Sequence, residues 1–152
     1  MLIIGIDPGA SGGIAFRSGS AVWIHKTPET NRDILDLLQT HSSGEECFAY
    51  VEWIHPAIQG IGKSSMSKLY GSFKELMMAL DASAIPYEDV KPQVWQKCFS
   101  LVRPKADQNK WKNMLKAKAQ QLFPSLTITK DTADALLIAE YGRRLRAGEF
   151  SK

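Results

Sequence analysis

Apolar residues run almost unbroken through Leu2-Ile3-Ile4-Gly5-Ile6 and stop at Asp7-Pro8-Gly9, the pattern of a strand buried on both faces and closed by a turn. This places Asp7 at a strand exit. Two further short runs, residues 13–17 and 21–25, flank Ser18-Gly19-Ser20, whose composition favours a tight turn, so the chain opens as a three-stranded meander. Thr30 with Asp33 three residues on can cap a helix whose buried face is Ile34, Leu35, Leu37 and Leu38, ending near Thr40. Cys47-Phe48-Ala49-Tyr50-Val51-Glu52 then reads as a strand delivering Glu52 to its carboxyl end.

Pro56, Gly60 and Gly62 make residues 54–64 an exposed loop. From Ser65 to Leu80 the apolar positions recur at helical spacing, with Met66, Met77 and Met78 expected to fill core space. Residues 84–87 predict a fifth strand, followed by a short helix opening at Pro92. Trp111, Leu115, Ala119, Leu122 and Phe123 form the stripe of another helix stopped by Pro124, with Lys112, Lys116 and Lys118 mostly off it. A last helix is expected from residues 129–131 through Leu145. Asp134 interrupts its Ala/Leu/Ile pattern, where an unpaired charge would be costly to desolvate.

Composition narrows the class. The chain has 152 residues, 44% of them hydrophobic, the size of one domain with a continuous core. No apolar run approaches the roughly 20 residues needed to cross a bilayer, and the first residues enter a strand without a basic leader, so a soluble cytoplasmic protein is expected. Cys47 and Cys98 have neither zinc-ligand spacing nor partners for a disulfide framework and read as core thiols. The net charge of +3 conceals an asymmetry: residues 1–90 carry six Lys/Arg against eleven Asp/Glu, and residues 91–152 carry thirteen against five. A basic half suits a polyanion, and acids kept on the same surface would need cations to offset their repulsion; an uneven solvated surface is the plainer alternative.

Asp7 and Glu52 can meet if their strands are neighbours, and Asp131 and Asp134, three apart, share one side of a helical turn. Asp131 can equally be a helix cap. Together they offer hard oxygen ligands for two divalent ions, Mg²⁺ first and Mn²⁺ as a substitute. Such a pair can activate water and stabilise a departing 3′ oxygen, giving phosphodiester cleavage to 5′-phosphate and 3′-hydroxyl ends. Lys116 or Lys118 could add positive charge near the nonbridging oxygens; spacing does not choose between them. Lys112, Lys116 and Lys118 also form a phosphate-facing ridge, and Lys63, Ser64 and Ser65 a second DNA-binding group.

Residues 4–9, Val51-Glu52 and residues 131–136 together resemble, in order and interval, the RuvC family of Holliday junction resolvases, across nearly the whole chain. The resemblance implies an α/β, RNase H-like fold with a mixed five-stranded sheet flanked by helices, a homodimer, and paired metal-dependent incisions in four-way DNA. It carries the metal ligands onto Asp7, Glu52, Asp131 and Asp134. The chain is shorter than typical bacterial members, as in a compact or phage-type branch acting in the nucleoid or an infected host cell. The helix from Ser65 to Leu80 resembles the dimer-packing element, and Ile58 or Ile61 in the preceding loop could wedge into a junction or anchor the loop to its own domain. His55, close after Glu52, stays open as a group supporting the metal ligands or contacting DNA.

Other motifs carry less. Residues 60–64 lack the GxxxxGK[ST] spacing, and Gly9, Gly12 and Gly13 do not make GxGxxG. The enzymatic alternative is an RNase H-like nuclease acting on flaps or other branched nucleic acids. The other is a noncatalytic nucleic-acid-binding or phosphate-binding domain related to sugar-kinase and actin-like folds.

Overall fold

A computed structural model describes residues 1–54, 62–104 and 107–151. In chain order the elements are β1 (Leu2–Asp7), β2 (Gly13–Ser18), β3 (Ala21–Lys26), α1 (Asn31–Ser42), β4 (Cys47–Glu52), α2 (Lys63–Ala82), β5 (Tyr87–Val90), α3 (Pro92–Lys97), α4 (Gln108–Leu122) and α5 (Ala133–Arg146). They build the expected mixed five-stranded sheet, ordered β3-β2-β1-β4-β5. The opening meander is antiparallel, whereas β4 and β5 join parallel to β1 and β4. None of the described helices is long and apolar enough to cross a membrane.

The two faces of the sheet bury different halves of each strand. Leu2, Ile4 and Ile6 of β1 pack with Ile14, Phe16 and the α1 and α2 residues Ile34, Leu38, Phe73, Leu76 and Leu80. Ile3, Ala15 and Tyr50 pack on the other side with Trp95, Trp111, Leu115 and most of α5. Because side chains alternate along a strand, Asp7 falls in line with Ile3, and Glu52 with Tyr50, on the α5 side.

Gly5 sets how close α5 comes to β1. A Cβ built there would overlap the Ala135 carbonyl oxygen and the Ala139 nitrogen, so only a glycine lets the helix backbone rest on the strand. Gly142, two turns on, makes the same allowance for the Tyr50 ring and Ile3. Every residue of α5 from Ala133 to Gly142 is buried as a result.

Local chemistry moves several boundaries. Thr30 does cap α1, accepting from the Asp33 amide at 3.1 Å. The fifth strand begins only at Tyr87, the last residue of the predicted segment, because the exit of α2 consumes the preceding residues. Ala84 takes φ 53° there, and the Ile85 amide bonds back to the Leu80 carbonyl. The last helix also starts late. Thr129 and Thr132 hold each other's amides through their hydroxyls, a turn that makes Thr132 the N-cap and leaves Asp131 outside the helix. Of the methionines expected in the core, Met77 is buried but Met78 is 72% exposed on the outer face of α2. Cys47 and Cys98 are free thiols, half-buried at the margins of the two cores. The wedge candidates Ile58 and Ile61, and His55, lie outside the described residues.

Candidate active site

Three acids and one lysine meet at the carboxyl edge of the sheet. Ile6 pairs with Val51 in the parallel β1–β4 ladder, so Asp7 and Glu52, the next residues, stand side by side at the strand ends. The Asp7-Pro8-Gly9 turn is closed by Gly9 at φ 117° and leads the chain away, which leaves the Asp7 carboxyl facing α5. Asp134, in the first turn of α5, is brought beside them by the close approach at Gly5. Trp111 anchors α4 in the core, and the adjacent Lys112 reaches over the acids, its Nζ 2.5 Å from Asp134 Oδ2.

Charge repulsion and burial shape the protonation of this cluster. Burial, followed by the charges of Glu52 and Asp134, holds the Asp7 carboxyl well above the usual range. Burial and Asp134 push Glu52 up to about 7, against the opposing pull of the Trp95 hydrogen bond and Lys112. Asp7 and Glu52 are in hydrogen-bonding reach of each other, a contact that raises Asp7 and lowers Glu52. Asp134 is raised by burial and held back by Lys112. Burial disfavours the Lys112 ammonium, yet Asp134, Asp7 and Glu52 outweigh it and raise its pKa.

The cluster opens into a cleft of about 420 Å³ lined by Glu52, Pro92, Gln96, Arg103, Gln108, Trp111, Lys112 and Asp134. Among the described residues no three His, Cys, Asp or Glu side chains form a ready-made metal cage; the compensating charge here is that of Lys112. The donor set nevertheless fits a hard divalent cation. Among the described residues Asp134 Oδ1 is buried without a hydrogen-bond partner, an orphaned lone pair that is costly unless something positive meets it. Asp7 and Glu52 add oxygen donors whose mutual repulsion a cation would relieve.

The remaining predicted residues lie apart. Asp131, displaced from the helix, pairs with Lys26 of β3 at 2.7 Å, beside the cluster rather than in it. Lys116, one turn beyond Lys112, is exposed, and Lys118 points elsewhere, to Gln121. Lys63, Ser64 and Ser65 begin α2; the two serines are exposed, and the Lys63 side chain lies outside the described structure. Sequence reasoning placed Lys112 only on a DNA-facing ridge and missed Trp95, whose indole Nε1 donates to Glu52 Oε1 at 3.1 Å. Helical spacing offered no signal that singles out Lys112, since Lys118 lies as near the Trp111–Leu115–Ala119 stripe as it does.

Sheet order, mixed strand directions and a C-terminal helix laid across β1 define an RNase H-like α/β protein with carboxylates at the carboxyl edge of its sheet. Within that class the structure is similar to RuvC of Thermus thermophilus. Against T. thermophilus RuvC in complex with Holliday junction substrate, the TM-score is 0.66 at 16% identity, covering 97% of this chain and 96% of that one. Against another T. thermophilus RuvC structure it is 0.60 at 18% identity, covering 97% of both. The RuvC resemblance in the sequence thus holds at the level of the fold. No protein-family model and no curated protein matches the sequence.

Proposed function

We propose that this protein is a metal-dependent, structure-selective DNA endonuclease that resolves four-way junctions by paired incisions, leaving 5′-phosphate and 3′-hydroxyl ends. The observation that carries the reading is the convergence of Asp7, Glu52 and Asp134 around a partnerless buried carboxylate oxygen, on a fold similar to RuvC. Divalent ions, Mg²⁺ in the cell and Mn²⁺ as a substitute, would activate water and neutralise charge on the leaving 3′ oxygen. Asp7, Glu52 and Asp134 would hold them, and Asp131 would join only by leaving Lys26.

The protein's own groups account for the rest of the chemistry. Lys112 pairs with Asp134 at 2.5 Å; with a cation holding that carboxylate, its ammonium would be free to meet a nonbridging phosphate oxygen. Arg103 on the cleft wall offers a forked donor for the neighbouring phosphate. Lys116 and Lys118, with the start of α2 at Lys63, Ser64 and Ser65, would follow the DNA backbone further out.

A homodimer would bring two such sites to opposing strands. Its expected seat is α2, where Tyr70 and Met78 are exposed apolar side chains. The deciding experiment compares Mg²⁺-dependent cleavage of a synthetic four-way junction with matched linear and flap DNA, mapping both strand ends. Symmetric nicks in the junction are expected; equal cutting of linear DNA, or preference for flaps, would replace the resolvase reading with that of a general RNase H-like nuclease.

A further inference from the structure

Trp95 is among the largest fully buried side chains of the molecule, packed in the α5-side core, yet its only polar atom is spent on the acid cluster. We propose that Trp95 is a positioning residue for Glu52: its indole N–H fixes one carboxylate oxygen and leaves the remaining lone pairs aimed at a divalent cation. The inference rests on the reading of Asp7, Glu52 and Asp134 as the metal-holding acids.

Glu52 needs such a support more than its neighbours do. Asp134 is shorter, buried and held by Lys112, and Asp7 is likewise short and buried. Glu52 has one more rotatable bond, ends its strand, and borders an open cleft. An indole suits the task because it is a donor only: it cannot take the proton of a carboxyl or compete for the cation. It is also rigidly seated. Pro92 opens the six-residue α3, Val90 and Phe99 belong to the same core cluster as Trp95, and Pro92 and Gln96 of the same helix line the cleft. The position of Glu52 is therefore referred to the core through the indole N–H···O bond, the arrangement by which supporting partners orient metal ligands.

The purely architectural alternative is that a buried indole takes whatever acceptor lies near, with no effect on the acid. The two differ in metal affinity. In the full-length protein carrying Trp95→Phe, Mn²⁺ affinity measured by calorimetry should fall about 10-fold or more. The Mg²⁺ concentration for half-maximal cleavage should rise in parallel, with junction binding in metal-free buffer unchanged. Wild-type Mn²⁺ affinity and Mg²⁺ dependence in a variant with native circular dichroism would overturn the proposal. If the phenylalanine variant does not fold, benzothienylalanine at position 95 keeps the ring shape and replaces only the N–H with sulfur; the same two outcomes apply. Glu52→Gln separates the levels of failure. Loss of Mn²⁺ binding in Glu52→Gln but not on removal of the indole N–H removes the positioning role alone, whereas undiminished binding in Glu52→Gln removes the acid site on which it rests.

Discussion

Lys112 Nζ sits 2.5 Å from Asp134 Oδ2, while the other oxygen of the same carboxylate has no hydrogen-bond partner among the described residues. One half of Asp134 is thus neutralised by the protein and the other half left for something that is not. Asp134→Asn and Asp7→Asn should each reduce Mg²⁺-dependent junction cleavage by about 100-fold or more and leave junction binding intact, since the basic surface is untouched. Single-turnover cleavage and gel-shift titrations on the same preparations check this. Normal turnover in both variants would remove the acids from the chemistry.

The lysines should separate by position. Lys112→Met strands the buried Asp134 charge and is expected to cost about 2 kcal/mol in urea unfolding, less than a fully buried pair because the Lys112 side chain is 30% exposed. It should also slow cleavage. Lys116→Ala and Lys118→Ala should keep the single-turnover rate and instead lower the slope of log affinity against log salt by about 1 each, if each contacts one phosphate. Equal rate loss at all three positions would contradict the geometry.

Stability without metal should fall as pH rises. The folded-state pKa of Glu52 stands at about 7, above its ordinary 4.5, and Asp7 is displaced the same way. Between those values the native state binds more protons than the unfolded chain, so the cluster costs nothing below about pH 4 and progressively more towards pH 7. The urea midpoint of Glu52→Gln relative to wild type should therefore increase over that window in EDTA. Mg²⁺ should shrink the difference by stabilising the wild type. A pH-independent difference would show that the carboxyl is not displaced.

Gly5→Ala should be severe for a residue with no functional atom. The added methyl meets backbone on α5 rather than a side chain that could turn aside, so about 3 kcal/mol of destabilisation is expected. Thermal unfolding measures it. In whatever fraction folds, metal binding should be weakened as well, because Asp134 is carried by the displaced helix. Gly142→Ala, pressing on the Tyr50 ring, should destabilise the fold with less effect on the metal.

The strands that carry Asp7 and Glu52 were legible because burial on both faces produces apolar runs and because a carboxylate ending such a run is costly without purpose. The sheet order was implied only through resemblance; periodicity does not say which strands pair. Asp131 was misplaced by two residues of helix: its spacing to Asp134 suits a shared turn, but the reciprocal Thr129–Thr132 hydrogen bonds stop the helix short and hand Asp131 to Lys26. A pair of threonine hydroxyls competing with helical amides is a local contest that apolar periodicity does not register. Trp95 was invisible for another reason. Its apolar body fits the core pattern, and the partner of its N–H lies 43 residues away in sequence.

Helix α5 is the last of the described elements in the chain, and its seating over Gly5 is what brings Asp134 to Asp7 and Glu52. A nascent chain therefore exposes two of its acids long before the third exists. The acid cluster is complete only once α5 has docked on β1, so the proposed cleavage would be withheld from a half-made chain.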